Sequence, residues 1–452
     1  MRNNLHYSDK RQTEYKLMNG EIRMLETDVV VVGSGPGGAS VALGLAKQGK
    51  KVVILERGRH HKRIGSTFAA LFLVERCGFR FSQEGLNVFR ALTTGGTSVT
   101  FCGTAVLPPS WFNDKYGIDL SEYVGEAREE IGINPLPDRL IGPAASRIME
   151  AARDLGFQWN PIDKFIDADR CELKCPHCML GCTEGAKWTA RDYIQEAVDR
   201  GATLINRAAV NEVTIENHQA RGVQAMTPRG RVTVNAKATV VSAGGMGTPI
   251  ILQRSGIFDA GQGFFADPLL VTYGIYKGPG SWKDIPMSAG TLELVPEGIV
   301  MTDLADPWAT FLLNAYWKGW RYLPKFSKYR RYLGIMTKVR DGLDGRINLD
   351  GTFSKPITYA DRWKIDKGIN LAEKILKRAG TDPESIFTTP VRAAHPGGTA
   401  RIGEVVNTDL ETEVKNLYVC DASVIPEPWG LPPVWTIIAL GKRLTRRLET
   451  II

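Results

Sequence analysis

Three glycines near the start of the chain have a spacing that suits phosphate binding. Gly33, Gly35 and Gly38 follow a run rich in β-branched residues, 28–32. In a G-x-G-x-x-G turn the first glycine permits the tight turn, the second lets a pyrophosphate approach the backbone, and the third lets the helix pack on the strand. The helix start offers unpaired N–H groups and a positive dipole end. Glu56 ends the next predicted strand, where an acid can bind ribose hydroxyls. The pattern predicts dinucleotide binding.

Four cysteines in residues 171–182 form a second candidate site. Their spacing is C-x3-C-x2-C-x3-C, and they are four of the seven cysteines of the chain. Closely spaced thiolates of this kind hold iron–sulfur clusters, whereas structural zinc more often uses two ligand pairs separated by a longer loop. The first three also fit the C-x3-C-x2-C pattern of enzymes that cleave S-adenosylmethionine, which the dinucleotide turn argues against. The spacing predicts a [4Fe–4S] cluster, with zinc or plain thiols as alternatives. The predicted ligands are Cys171, Cys175, Cys178 and Cys182.

Composition narrows the class of protein that must position these groups. The chain has 452 residues, of which 43% are hydrophobic and 23% charged, so we expect a globular protein of two domains. A net charge of +8 favours acidic partners or an anionic surface. No apolar run reaches the ~18 residues of a membrane span. Residues 1–27 are polar and have no apolar core, so we expect no secretory signal and a cytoplasmic location with reduced thiols.

Hydrophobic periodicity and turn residues predict the elements around these motifs. We expect residues 264–389, where short apolar runs alternate with Gly and Pro, to form a second domain on an antiparallel sheet. The predicted helices are 39–48, 147–155, 188–200 and 433–448, and the predicted strands or β-rich pieces are 28–32, 51–55, 203–215, 222–234, 238–242 and 416–420.

Three more segments resemble signature blocks of the glucose–methanol–choline (GMC) oxidoreductases. Residues 94–103 (TGGTSVTFCG) resemble the loop that holds FAD near its reactive ring in that family. Residues 240–257 (VVSAGGMGTPIILQRSGI) are similar to its second signature. Residues 395–403 (HPGGTARIG), with 416–426 following, resemble its closing block. Together with the glycine turn they keep the order of the family from residue 28 to about 448, and they imply FAD as the dinucleotide.

The resemblance implies an α/β fold with an FAD-binding Rossmann-type domain, discontinuous in sequence, and a smaller α+β substrate domain on an antiparallel sheet. The chain is short for this family, so that second domain is expected to be trimmed. We assign 1–27 to a polar extension, 28–110, 166–263 and 390–452 to the FAD-binding domain, and 111–165 and 264–389 to the substrate domain.

Further FAD contacts follow only from the resemblance. Gly95, Gly96 and Ser98 would face the flavin, and Val210 would lie near the adenine. Asp421 and Ala422 would lie beside the diphosphate and the ribityl chain. For Asp421 an ordinary acid at a strand-end turn is the alternative interpretation.

His395 matches the active-site histidine of the family, and a neutral imidazole suits a general base near neutral pH. The alternative is a histidine that only bonds the backbone. The family usually has a second His or Asn where this chain has Pro432, which has no side-chain donor or acceptor. Glu427 and Trp429, in the same loop, are candidate substitutes or packing residues.

Residues 307–340 are rich in basic and aromatic residues and contain no Asp or Glu. This composition suits a membrane headgroup region, and peripheral membrane contact through 308–340 is one interpretation. A lid over an apolar substrate, an acidic electron carrier and a solvated basic face are the alternatives. Stacking on single-stranded nucleic acid is disfavoured by the FAD motifs.

These observations predict an FAD-dependent dehydrogenase, rather than an oxidase, that acts on a CH–OH group of a small alcohol-type molecule. His395 would take the hydroxyl proton, and electrons would leave through the cluster to a one-electron or quinone acceptor. A non-catalytic flavin and iron–sulfur electron-transfer subunit is one alternative. A flavoenzyme without net redox, such as an isomerase or lyase, is the other.

Overall fold

A computed structural model describes residues 23–173, 175 and 177–452 of the chain. The α-helices of this part are α1 (Pro36–Lys47), α2 (Thr67–Leu73), α3 (Trp111–Tyr116), α4 (Ser121–Ile131), α5 (Pro143–Asp154), α6 (Ala190–Asp199), α7 (Thr248–Arg254), α8 (Trp308–Lys318), α9 (Tyr359–Arg378) and α10 (Val434–Glu449).

The strands of the described residues are β1 (Arg23–Val32), β2 (Val52–Glu56), β3 (Asn87–Val88), β4 (Asn134–Pro135), β5 (Asn160–Pro161), β6 (Asp163–Lys164), β7 (Thr203–Asn206), β8 (Ala209–Glu216), β9 (Gln219–Thr227), β10 (Gly230–Val241), β11 (Gln262–Phe264), β12 (Pro268–Ile275), β13 (Ala289–Thr291), β14 (Ile299–Asp303), β15 (Tyr332–Val339), β16 (Gly345–Ile347), β17 (Phe353–Ser354), β18 (Phe387–Thr388), β19 (Arg392–Ala393) and β20 (Leu417–Val419).

The first sheet has a parallel centre. Its order is β7-β2-β1-β10-β9-β8, with β20 also paired to β10. The pairs β7–β2, β2–β1, β1–β10 and β10–β20 are parallel, and the β8–β9–β10 meander is antiparallel. Val29, Val30 and Val31 are fully buried because helices cover the faces of the sheet. The carboxyl ends of β1, β2 and β10 therefore lie side by side.

Small residues let α10 pack closely against α1. A Cβ on Gly441 would lie 2.7 Å from the Cβ of Ser40, and one on Gly44 would lie 2.5 Å from Thr445. The Ser40 hydroxyl donates to the Ile438 carbonyl at 3.0 Å. The C-terminal helix thereby anchors the glycine turn that opens α1.

The second sheet is mainly antiparallel and has the order β3-β19-β12-β15-β14-β13-β5. Its centre is β15, whose eight residues are all buried. Helix α9 packs on this sheet through buried Ile365, Ala372, Ile375 and Leu376. The α/β centre and the antiparallel second sheet agree with the predicted architecture.

Two local predictions need correction. The first strand begins at Arg23 and not at residue 28, because 23–27 continue the parallel pairing with 232–236 of β10; the rest of the predicted polar extension lies outside the described residues. The region 264–389 also contains α9, which was not predicted. Its signals are a capping box between Thr358 and Asp361 and an apolar stripe that follows it.

Candidate functional site

A cavity of about 990 Å³ lies between the two sheets and brings most of the predicted site residues together. Gly38 and Gly95 do not line it, but each is next in sequence to a glycine that does. The cavity is lined, among others, by Gly33, Gly35, Glu56, Gly96, Ser98, Val210, His395, Asp421 and Ala422.

The glycine turn opens onto this cavity at the N-terminus of α1. Gly33 has φ +104°, and a Cβ there would lie 2.2 Å from the Ser242 carbonyl oxygen. A Cβ on Gly35 would meet nothing within 4 Å, so the backbone is open towards the cavity at this point. A Cβ on Gly38 would lie 2.2 Å from the Gly33 carbonyl oxygen. The turn thus has the close helix packing and the open face that a pyrophosphate needs.

Glu56 ends β2 at the edge of the cavity and is nearly buried. One carboxylate oxygen accepts from the Ser34 hydroxyl at 2.6 Å and from its backbone N–H at 3.1 Å. The other oxygen accepts from the Gly58 backbone N–H at 2.6 Å. The protein therefore fixes the orientation of the carboxylate, and the oxygen that binds Gly58 keeps a lone pair for a ribose hydroxyl.

The loop around Gly95 and Gly96 meets the glycine turn directly. The Gly95 N–H donates to the Ser34 hydroxyl at 3.1 Å, and a Cβ on Gly96 would lie 3.1 Å from the Gly35 Cα. Ser98 donates to the Gly95 carbonyl at 2.6 Å and accepts from the Ala190 N–H at 2.9 Å. The two glycine-rich loops thus form one continuous wall.

Asp421 connects the C-terminal segment to the turn after β10. Its carboxylate accepts from the Gly244 N–H at 2.8 Å, from the Thr248 hydroxyl at 2.5 Å, and from the N–H and hydroxyl of Ser423. These bonds fix the carboxylate within the protein, and Asp421 and Ala422 both line the cavity.

His395 lies beside a buried carboxylate and a buried ammonium that the sequence analysis missed. Its Nδ1 is 3.0 Å from Oδ2 of Asp267 and 3.3 Å from Nζ of Lys338. Lys338 and Asp267 are 4.0 Å apart, and both side chains are almost completely buried. The histidine itself is 23% exposed, towards the cavity. A lysine inside the fully buried β15 was the one available signal for this cluster.

Burial shifts the pKa of each member of this cluster. It raises the pKa of Asp267, against the opposing effect of Lys338. It lowers the pKa of Lys338, and Asp267 opposes that shift. Burial, together with the Lys338 charge, lowers the pKa of His395 well below 6.5. The imidazole is therefore neutral near pH 7, which is the protonation state that a general base requires.

A second buried ion pair holds Asp267 in place. Asp341 accepts from the backbone N–H groups of Ala266 at 2.9 Å and Asp267 at 3.1 Å. The Asp341 carboxylate in turn pairs with the fully buried Lys355 at 3.0 Å. Asp267 has φ +47°, in the left-handed region, so this support is needed to fix its side chain beside His395.

In the loop around Pro432, where the family usually has a second His or Asn, neither of the two candidate substitutes takes over that role. Pro432 lines the cavity, but Glu427 binds Tyr116 at 3.0 Å and pairs with Lys115. Trp429 is buried against the rings of Trp111 and Phe112. Neither Glu427 nor Trp429 lines the cavity. Both are packing or surface residues, and Lys338 is a polar side chain of the cavity wall beside His395.

The four predicted cluster ligands are free thiols in one loop. Burial raises the pKa of Cys171 to about 12, with Cys178, Cys182 and Cys175 as further causes, so the thiols are neighbours. Across the described residues, however, no three His, Cys, Asp or Glu side chains form a group that could hold a metal ion. The structure therefore does not support the predicted cluster, which stays a prediction.

Two buried lysines hold the flavin-type loop. The Lys187 ammonium ties it to the cysteine loop by donating to the carbonyls of Val99, Phe101 and Cys178 at 2.6–3.1 Å. The Lys164 ammonium ties it to the segment before β13 by donating to the carbonyls of Cys102 at 2.7 Å and Pro286 at 2.9 Å. These contacts position residues 96–104, which the sequence analysis did not foresee.

The remaining three cysteines lie in three different surroundings. Cys102 lines the cavity, but burial raises the pKa of its thiol to about 11, which keeps it protonated. Cys420 is buried in the core of the first sheet. Cys77 is exposed at the cavity edge.

Sequence profiles of known families match three parts of the chain. Residues 26–68 match an FAD binding domain, and residues 108–268 and 350–441 match the N- and C-terminal regions of GMC oxidoreductases. A long-chain-alcohol oxidase of Arabidopsis thaliana is 23% identical, over 94% of this chain and 68% of that protein. An uncharacterized protein of Methanocaldococcus jannaschii is 32% identical, over 93% of this chain and 99% of that protein.

Solved structures share the fold. Pyridoxine 4-oxidase from Mesorbium loti superposes with a TM-score of 0.70 at 17% identity, over 94% of this chain and 100% of that one. A formate oxidase variant of Aspergillus oryzae superposes with a TM-score of 0.69 at 14% identity, over 95% and 99%. These likenesses confirm the predicted α/β fold with an FAD-binding domain and a separate sheet-based domain.

The fold and the dinucleotide cavity define an FAD-binding oxidoreductase. The chain belongs to the GMC oxidoreductase family, as its profile matches and relatives show. No helix among the described residues is long and apolar enough to cross a membrane.

Proposed function

We propose that the protein oxidises a CH–OH group, with His395 as the base that takes the hydroxyl proton. When bound, FAD supplies the acceptor for the hydride that leaves the carbon. The observation that carries the proposal is His395 at the cavity wall, with its Nδ1 3.0 Å from Asp267. The neutral tautomer with its proton on Nδ1 donates to Asp267, which leaves the Nε2 lone pair for the substrate hydroxyl.

The cavity residues fit FAD along its whole length. Gly33 permits the tight turn, Gly35 leaves space for the pyrophosphate at the start of α1, and Glu56 offers one carboxylate lone pair to a ribose. Val210 would face the adenine, and Asp421 and Ala422 the diphosphate and ribityl chain. Gly96 and Ser98 would form the wall near the flavin ring, and Gly95, in the left-handed conformation at φ +89°, would turn the chain into that wall.

Lys338 supplies the polar group that Pro432 cannot. Its Nζ is 3.3 Å from His395, and the side chain also lines the cavity. We propose that its ammonium donates a hydrogen bond to the substrate oxygen as negative charge develops there. Fixed donors in a site that excludes water stabilise such charge strongly.

An anaerobic flavin-bleaching experiment with a panel of alcohols tests this proposal against its two alternatives. Loss of the oxidised-flavin absorbance with at least one alcohol supports alcohol oxidation. No bleaching by any alcohol, with rapid reduction by a partner protein, would favour an electron-transfer subunit. Turnover of a substrate without any added acceptor would favour an isomerase or lyase.

Electron exit through a [4Fe–4S] cluster is a separate part of the proposal. Four neighbouring thiols in residues 171–182 support it, and Met179 and Leu180 of the same loop line the cavity. The loop would have to rearrange to bind iron, so no step of the reaction is assigned to it. About four irons per chain after anaerobic purification, lost in Cys178→Ser, would support the cluster. Zinc or no metal would give the loop a structural role.

The preference for a dehydrogenase over an oxidase depends on that cluster. With iron present, we expect one-electron dyes or quinones to reoxidise the flavin faster than oxygen does. Without iron, oxygen and quinones are the acceptors to compare first. A cytoplasmic location and peripheral membrane contact through residues 308–340 both stay predictions.

A further inference from the structure

The part of the cavity away from the glycine turn is apolar and reaches the surface between two helices. Helix α2 contributes Ala70 and Leu71 to the wall, and α8 contributes Leu312, Leu313 and Tyr316. Leu71 and Tyr316 are also exposed to solvent. The cavity therefore opens between α2 and α8, and a molecule that enters there crosses an apolar passage before it reaches His395.

The outer faces of the two helices are apolar as well. Helix α2 reads TFAALFL and is apolar on nearly every side, yet Phe68 is 71% and Phe72 63% exposed. A helix that is apolar all round is normally buried in a core or in lipid. We call the exposed residues around the opening the aromatic rim. The aromatic rim consists of Phe68, Phe72, Trp308, Tyr316 and Trp320.

Ring contacts hold the two sides of the opening together. Phe79, which follows α2, packs edge-on against Trp317 of α8 at 5.7 Å between ring centroids. Phe81 contacts the same ring at 6.1 Å. These contacts join the segment that follows α2 to α8, the two elements that carry the aromatic rim.

A basic segment adjoins the aromatic rim. Residues 307–340 contain no acid, and five of their bases are exposed. Within the described residues, none of the five forms an ion pair with an acid, so their charges are available to an external anion. The five bases are Lys318, Arg321, Lys328, Arg330 and Arg331.

We propose that the aromatic rim docks on an anionic lipid surface and that the substrate is an amphiphilic alcohol taken from that surface. Aromatic rings settle at the headgroup level, and each nearby Lys or Arg contributes to the attraction for anionic lipid. A second copy of the chain would place two basic segments against each other, which charge repulsion disfavours. The inference about the substrate rests on the proposed function. The hydroxyl of the alcohol would reach His395 while its hydrocarbon chain fills the apolar passage.

Vesicle flotation of the full chain with FAD tests the docking. We expect binding to vesicles of equal phosphatidylcholine and phosphatidylglycerol, weaker binding at high salt, and little binding to phosphatidylcholine alone. Phe68→Ser with Phe72→Ser should weaken binding at least about tenfold, because two exposed rings no longer insert. Arg321→Gln with Lys328→Gln should weaken it by about tenfold on anionic vesicles only.

Phe258→Ser is the matched control, because Phe258 is 72% exposed and lies outside the aromatic rim and the cavity wall. It should bind like the parent chain. Absence of vesicle binding by the parent chain, or equal binding by the Phe68 and Phe72 double variant, would overturn the proposal. So would a stable dimer that the double variant dissociates without any vesicle binding.

Flavin bleaching separates the substrate part from the docking. Hexadecanol carried in anionic vesicles should bleach the flavin at least about tenfold more slowly in the Phe68 and Phe72 double variant, whereas ethanol in solution should show no difference. Equal rates with hexadecanol would overturn the substrate part. If no alcohol bleaches the flavin while vesicle binding persists, the proposed function fails and the docking stands.

Discussion

Nδ1 of His395 lies 3.0 Å from Oδ2 of Asp267, and this contact fixes which edge of the imidazole ring is directed towards the cavity. The same carboxylate oxygen is 4.0 Å from Nζ of Lys338, so the histidine is the closer of these two partners of the carboxylate. Removal of the carboxylate should impair proton transfer while the fold persists.

Asp267→Asn should slow flavin reduction by about 10²- to 10³-fold, the range of an impaired general base. The amide no longer holds the imidazole with its proton on Nδ1, so Nε2 loses basicity towards the substrate. Anaerobic stopped-flow reduction at saturating alcohol measures the effect. Asp303→Asn is the control, because Asp303 is equally buried but binds Ser288 and Ala289, away from the cavity. Similar losses in both variants would contradict the assignment.

The rate of flavin reduction should fall on the acidic side of neutral pH. Burial raises the pKa of Asp267 to about 7, so the carboxylate is ionised above that pH and protonated below it. Only the ionised carboxylate accepts a hydrogen bond from Nδ1–H of His395. Flavin reduction is therefore fast above pH 7 and slows as the pH falls. Asp267→Asn should remove this limb of the pH–rate profile. An unchanged limb in that variant would assign it to another group.

Lys338→Met should lower kcat by about 10²-fold with its FAD content unchanged, because a fixed donor to the substrate oxygen is lost. Lys338→Arg should recover part of the rate. The comparison of kcat with KM distinguishes transition-state stabilisation from simple binding.

Lys442→Met is the control for that experiment. Lys442 is also largely buried and paired with a carboxylate, Glu130 at 2.7 Å, but it lies outside the cavity wall and, within the described part of the chain, has no contact with Asp267 or its supports. We expect it to lower the thermal unfolding temperature and to leave the rate per bound FAD close to that of the parent. An equal fall in kcat in both lysine variants would refute a specific role for Lys338.

Lys187→Met should destabilise the flavin-type loop. The loss of one buried ammonium leaves three carbonyls without a donor, which costs about 3 kcal/mol in the free energy of unfolding. Urea unfolding and FAD retention measure the effect. Lys374→Met, at an exposed position of α9, should change neither. Unaltered stability of the Lys187 variant would show that these contacts are not needed.

Local sequence patterns predicted the parts of the site that depend on local geometry. The glycine turn, Glu56 at the end of β2 and the loop around Gly95 follow from backbone conformation and close packing within short segments. His395 was found from a motif, and the structure places it at the cavity wall.

The partners of His395 depend on pairings between distant segments. Asp267 precedes β12, and Lys338 reaches it because Leu269 pairs with Lys338 across β12 and β15. His395 arrives through its backbone bond to Ala266 at 3.3 Å. No spacing in the sequence records this register, so the cluster required the structure.

Anaerobic flavin reduction in His395→Ala tests the central claim most directly. The variant should retain FAD, because His395 is one of many residues around the cavity. Its reduction by an alcohol that bleaches the parent should be slower by about 10²- to 10⁴-fold. Reduction at the rate of the parent, with FAD bound in both, would contradict the account.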